Sequence, residues 1–320
     1  MWDAILDQEF AKRLLKAHLD SGRVPNGYLL VGPDGVGKRR LAIEFAKAIN
    51  CSADGTRPCD ACPTCIQMNR GTHPDVHVLL PSGASEQIKI DDIRHLLGRL
   101  ALRPFSASVQ VAVIDGAERL TEEAANALLK MLEEPSVRAK FLLTTAHVAR
   151  CLPTIVSRCQ LIRCRPLHID TITQILIADQ RVKPDAAETI ARLSGGSASR
   201  AIELAAGWDA YEAVLKRLAD ERPMAWIEQP LPDTRDGVAQ LLDGMLAWLR
   251  DVTVAAAADP SRIAHAPHGP AIRRQAQSVD VDRCLETTER LLALRGSIEQ
   301  FVSPRLIASL ARETWLFVFS

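Results

Sequence analysis

Gly27-Tyr28-Leu29-Leu30-Val31-Gly32-Pro33-Asp34-Gly35-Val36-Gly37-Lys38-Arg39 decides the fold of this 320-residue chain. Residues 27–31 carry no charge and read as a short buried strand. A glycine turn with the spacing G-x-x-x-x-G-K follows. Residues 39–50 then place Leu41, Phe45 and Ala48 at helical spacing. In that context backbone N–H groups converge on a phosphate, the helix N-terminus adds its dipole, and a lysine adds a point charge. Gly32, Gly35, Gly37 and Lys38 are therefore the candidate phosphate cradle.

The pattern of strand and helix continues outward from this loop. Residues 76–80, 109–114 and 141–145 read as further strands. Residues 90–102 and 121–134 read as helices with one apolar stripe each, Thr121 capping the second and Pro135 limiting it. Alternation of this kind implies a largely parallel sheet covered on both faces. After Pro166 the strand signals stop. Residues 170–179, 184–193 and 198–206 read as short helices, 237–257 and 281–295 as longer ones, and 259–277 as a loop with some helix. Three parts follow: an α/β domain over 1–166, a small helical domain over 167–207, and a helical domain over 208–320.

Two residues depart from a working nucleotide site. The position after the loop lysine normally offers a hydroxyl to Mg²⁺, but here it is Arg39, and a guanidinium has no lone pair to give a cation. The strand Val111-Ala112-Val113-Ile114-Asp115 ends in an aspartate suited to hold Mg²⁺, yet Gly116 follows where hydrolysing enzymes place a glutamate. Glu118 lies three positions on, and an extended or tightly turned chain would face it elsewhere. Binding of ATP or ADP stays open on these residues; hydrolysis is not expected.

Cys51, Cys59, Cys62 and Cys65 form a C-x7-C-x2-C-x2-C cluster just after the loop helix. Thiolates at this spacing converge on one ion, and a closed set of four suits structural zinc with no open position for chemistry. His73 or His77 is the alternative fourth ligand. Cys151, Cys159, Cys164 and Cys284 are scattered and read as buried apolar thiols.

Lysine plus arginine number 39, as do aspartate plus glutamate, so bulk attraction to nucleic acid is not expected. No basic helix follows the cysteine cluster, which argues against a zinc-finger reader of DNA. Neither a signal peptide nor an apolar run of membrane-spanning length is present, and thiols in a cluster suit a reducing compartment, so a soluble cytoplasmic protein is expected.

With phosphate loop, cysteine insertion and Asp115 strand in that order, the chain resembles the clamp-loader branch of the AAA+ ATPases. Residues 126–135, Asn-Ala-Leu-Leu-Lys-Met-Leu-Glu-Glu-Pro, are similar to the helix that follows the aspartate strand in bacterial members. Ser157-Arg158-Cys159 matches the branch's S-R-C motif. The resemblance implies an α/β AAA+ domain with a RecA-like parallel sheet, a helical lid and an all-α collar. It implies that Arg158 acts in trans on the ATP of a neighbouring subunit. Thr145 matches the sensor-1 position and Arg200 the sensor-2 position. The implied partners are the motor ATPase and clamp-opening subunits, with the sliding clamp and primer-template DNA reached through the complex and no membrane. Within the branch, Arg39 and Gly116 make the chain look like the subunit that assists without hydrolysing. An active motor ATPase is the alternative.

Overall fold

In a computed structural model the chain is described except at residues 1, 84, 134–138, 180–181, 221–225, 227–229, 260–261, 300–301 and 319–320. It forms two compact units, one from Met1–Ile172 with Gly196–Ser199, the other from Thr173–Gly195 with Arg200–Ser320.

The first unit is built on five strands: β1 (Gly27–Val31), β2 (Val76–Leu79), β3 (Gln110–Ile114), β4 (Ala139–Thr145) and β5 (Gln160–Arg163). They lie in the order β2-β3-β4-β1-β5, all parallel. Parallel strands need crossovers, and helices supply them: α1 (Glu9–Asp20) precedes β1, then come α2 (Lys38–Asn50), α3 (Pro63–Asn69), α4 (Ile90–Leu100), α5 (Glu122–Glu133) and the single turn α6 (Pro153–Val156).

Successive side chains in a strand face opposite sides, which sorts the core into two layers. Tyr28, Leu30, Val111, Val113 and Leu142 face α1 and α2, packing on Leu15, Leu41 and Phe45. Leu29, Ala112, Ile114, Phe141 and Leu143 face the other side, against Ile93, Leu96 and Leu128. Both faces are buried, so the strands carry apolar runs and not an apolar–polar alternation. Burying each large side chain contributes about 1.5–3 kcal/mol. Thr121 caps α5 as its sequence implies, its hydroxyl accepting from the Ala124 N–H at 3.3 Å. Residues 134 and 135, which end the 126–135 segment, lie outside the described residues.

Two elements of this unit have no clear sequence signal. Strand β5 is an edge strand in which only Ile162 is buried, so its composition reads as loop. Helix α3 is an internal piece of the cysteine segment, started by Pro63 and by the Cys62 sulfur, which accepts from the Cys65 N–H.

Among the described residues the elements of the second unit are all helical: most of α7 (Ile169–Ala178), α8 (Pro184–Leu193), most of α9 (Ala198–Ala206), α10 (Trp208–Ala219), α11 (Arg235–Ala257), α12 (Gly269–Ser278), α13 (Val281–Gly296) and α14 (Pro304–Val318). Its core gathers on α11, where Leu241, Leu242, Met245, Trp248 and Leu249 are all buried. The segment after α11 is held by a buried carboxylate. Asp251 Oδ2 accepts from the Ala264 and His265 N–H groups at 2.9 and 2.8 Å and lies 2.8 Å from His265 Nδ1. The other ring nitrogen of His265 lies 3.2 Å from the Tyr211 hydroxyl. The stretch read from sequence as loop with some helix is thus pinned at Ala264 and His265, and its second half forms α12.

Candidate functional site

The phosphate loop leaves the sheet where β1 ends. Gly32 N donates to Thr145 O at 3.1 Å, and Cys164 N donates to Val31 O at 2.7 Å, so both neighbouring strands fix its root. Gly35 and Gly37 carry φ of +73° and +89°, which a side chain would strain. Gly37 O then accepts the first helical bond of α2, from Leu41 N at 2.9 Å. Lys38 is buried and turns back onto its own loop, its Nζ donating to Gly32 O at 2.7 Å and Pro33 O at 2.6 Å.

Beside the loop is a cleft of about 330 Å³ whose lining includes Lys38, Arg39, Asp115, Glu118, Arg119 and Thr144. Arg39 Nη1 meets Asp115 Oδ2 at 3.2 Å. The other oxygen of Asp115 accepts from the Thr144 hydroxyl at 2.5 Å, and that hydroxyl accepts from Gly116 N at 3.1 Å. Magnesium needs oxygen ligands in near-octahedral array. Here the loop position that would offer a hydroxyl offers a guanidinium, and both Asp115 oxygens are engaged by protein groups. These residues do not fit the ion.

Two sequence expectations change at this cleft. Glu118 does not face elsewhere. Gly116 adopts φ +84°, and the 3₁₀ turn Ala117–Arg119 brings the glutamate back to the cleft. Its Oε1 accepts from Ala146 N at 3.1 Å, and its Oε2 is buried with no hydrogen-bond partner among the described residues. Thr145 is fully buried and does not line the cleft; its hydroxyl accepts from His147 N at 3.1 Å and lies 3.3 Å from the Cys151 sulfur. Alternation along β4 gives the cleft position to Thr144 instead, a residue the sequence reading passed over although the same period-two rule points to it.

Arg158 stands just after α6, with its side chain about one-third exposed. Nη1 donates to Thr154 O at 3.0 Å and to Ser157 Oγ at 3.4 Å, while Nη2 is ion-paired with Glu133 at the end of α5. The guanidinium is therefore held on the surface by three acceptors. Arg200 belongs to the second unit, where its charge opposes the upward push that burial gives the Tyr211 phenol.

The four cysteines come together at the far end of α2. Cys51 follows its last residue, and the sulfurs of Cys51, Cys59, Cys62 and Cys65 all lie within 4.8 Å of one another. A tetrahedral zinc–thiolate set has sulfurs about 3.8 Å apart, so small adjustments suffice to close a site. Cys62 N donates to Cys59 Sγ at 3.3 Å and Cys65 N to Cys62 Sγ at 3.5 Å, bonds that favour thiolates. For Cys62 the cost of burial is outweighed by N–H groups of Cys65 and Ser52, and its pKa falls to about 6; for Cys65 burial prevails and lifts it to about 12. Lys47, almost fully buried on α2, pairs with Glu44 at 2.7 Å and with Asp60 of the cysteine segment. Such a set can hold a metal ion. His73 and His77 are not part of it: they line a separate cavity of about 370 Å³ with Met68, Thr72 and Arg99. Cys151, Cys164 and Cys284 are buried and Cys159 nearly so, and burial raises all four thiols.

The family model described as DNA polymerase III, delta subunit, matches residues 7–168. The DNA polymerase III subunit delta' of Pseudomonas aeruginosa is 34% identical over 263 residues, 77% of each chain. That of Bacillus subtilis is 35% identical over 192 residues, 60% of this chain and 57% of the relative's length. Among solved structures, a gamma subunit-related protein of DNA polymerase III from Thermotoga maritima covers 97% of this chain and 100% of its own at 18% identity, with a TM-score of 0.46. On the extent of the sequence matches, the chain belongs to the delta' family of DNA polymerase III clamp-loader subunits.

Proposed function

We propose that the chain is a non-hydrolysing member of a clamp-loader complex, which helps place a sliding clamp on primed DNA and lends Arg158 to the active site of a neighbouring ATPase subunit. The observation that carries this reading is the Arg39–Asp115 pair, with Gly116 after it: metal site and general base are both altered in one cleft. An arginine from outside stabilises charge on the transferring phosphoryl group, and Arg158 sits on the surface, able to exchange Glu133 for a phosphate. The degenerate nucleotide site comprises Gly32, Gly35, Gly37, Lys38 and Asp115, with Arg200 at the sensor-2 position by resemblance; at sensor 1, where the resemblance gives Thr145, the neighbouring Thr144 is the residue that lines the cleft. The four thiolates hold a structural zinc, which stiffens a segment without a core of its own. The helical part serves as lid over 167–207 and as oligomerising collar over 208–320. The partners are the motor and clamp-opening subunits, in the cytoplasm; among the described residues no helix is long and apolar enough to cross a membrane.

Reconstitution with a motor subunit tests the reading. Arg158→Ala should assemble to the same size, while DNA-stimulated ATP turnover falls about tenfold or more. Unchanged turnover would refute the role. One observation favours the alternative of an active motor: Glu118 returns a carboxylate to the cleft. Turnover of Mg-ATP by the isolated chain clearly above a Lys38→Ala control would establish that alternative.

A further inference from the structure

Phosphate loops that use magnesium hold it from two sides, by the hydroxyl after the loop lysine and by an aspartate at the end of another strand of the same sheet. In this chain those two positions, 39 and 115, are 76 residues apart in sequence and bonded to each other in space at 3.2 Å. The guanidinium thus spans the gap in which the ion would sit. It carries positive charge there, but it offers donors only, so it excludes a cation from Asp115 while leaving N–H groups for an anion. The pair lies at the mouth of the cleft, Arg39 about half exposed and Asp115 about a quarter. A phosphate chain seated on the loop would therefore meet the guanidinium without first displacing buried packing. Asp115, neutralised by its partner, no longer repels that chain. Of the other charged groups lining the cleft, Asp34 of the loop lies 3.6 Å from Lys38 Nζ, Arg119 is paired with Glu86, and Glu118 accepts from Ala146 N.

We propose that Arg39 is a tethered replacement for the divalent cation, and that this cleft binds nucleoside di- and triphosphates without magnesium. The proposal rests on the reading that the loop keeps phosphate affinity while hydrolysis is lost, and it adds the form of the ligand: the metal-free nucleotide. The site's own charge is fixed by the protein, so magnesium adds nothing to binding and lowers occupancy only by complexing nucleotide in solution.

The test uses the full chain alone, titrated calorimetrically with ADP and with ATPγS in EDTA and in magnesium chloride. Mn²⁺ titration followed by electron paramagnetic resonance accompanies it. The wild-type chain should bind each nucleotide no more tightly in magnesium chloride than in EDTA, with ATPγS losing more than ADP because magnesium complexes the triphosphate more strongly, and should show no bound Mn²⁺. Arg39→Thr should gain a Mn²⁺ site and bind nucleotide about tenfold tighter with magnesium than without. Asp115→Asn, which leaves Arg39 without its acidic partner, should bind ADP in EDTA at least as tightly as wild type. The proposal is overturned if wild-type affinity is about tenfold higher with magnesium, if no saturable binding occurs up to millimolar nucleotide, or if Asp115→Asn loses affinity in EDTA. None of these measurements involves a partner subunit, so their failure leaves the trans role of Arg158 standing. An unchanged ATPase in the Arg158→Ala complex would leave the cleft's binding of metal-free nucleotide standing.

Discussion

His73 and His77 are both buried in the first unit, and neither takes part in the nucleotide or cysteine chemistry. His73 Nδ1 accepts from Asp75 N at 3.2 Å, while its Nε2 and both nitrogens of His77 have no partner among the described residues. Burial holds both imidazoles below their ordinary pKa, with Arg99 adding to the effect at His77 and Asp75 opposing it at both. Between that lowered value and about 6.5 the unfolded chain binds the extra protons, so stability is complete above about pH 6.5 and falls below it. The slope is at most about 1.4 kcal/mol per pH unit for each histidine. Urea unfolding at pH 7.5 and 5.5 checks this: the wild type should weaken with acid, and a His73→Phe/His77→Phe double variant should weaken less. Equal slopes would dismiss the two rings as the cause. At this same scale the sequence showed which residue types were present but not where they pointed. Glu118 reaches the cleft because of one backbone angle at Gly116, and Arg39 finds Asp115 only once α2 and β3 are packed. Neither fact has a local signature.

Among the elements, β1, β3 and β4 were legible because strands buried on both faces carry runs of apolar residues, broken here only by Gln110, Lys140, Thr144 and Thr145 near strand ends. The edge strand β5 escaped because exposure of Gln160, Leu161 and Arg163 leaves only one buried residue to detect. The cysteine segment was legible as a ligand set and not as structure, since its short helix α3 depends on Cys62 and Pro63 at its start and on Lys47 reaching across to Asp60. Its stability should therefore be borrowed from the metal. Cys65→Ser should abolish stoichiometric zinc in the purified chain and open residues 52–64 to limited proteolysis, with faster hydrogen exchange in the last turn of α2. If zinc content and protease resistance were unchanged, the four sulfurs would not be the site.

At the scale of the whole molecule the chain has separate cores, and they should fail separately. Trp248 is fully buried at the centre of the helical unit, and its indole N–H donates to Gln275 Oε1 at 2.7 Å. Trp248→Phe keeps an aromatic ring but leaves that oxygen without its donor and opens a cavity, a loss of about 2–4 kcal/mol. Differential scanning calorimetry should show the transition of the helical unit moving down, while zinc content and nucleotide binding stay at wild-type levels. A drop in both together would mean that the cores are not independent. The division into an α/β part and a helical part was visible in sequence as the end of strand signals near Pro166. The return of Gly196–Ser199 to the first unit was not, because a short stretch between two helices has no composition that reports its neighbours.

Helix α2 starts at the phosphate loop and stops at Cys51. Its thirteen residues make a rod about 20 Å long. A rod held at its carboxyl tip can still pivot but can no longer translate, so an ion closing the four sulfurs would narrow the wandering of the glycines ahead of its amino tip. Part of the disorder that such glycines surrender on meeting an anion would then be removed before the anion arrives.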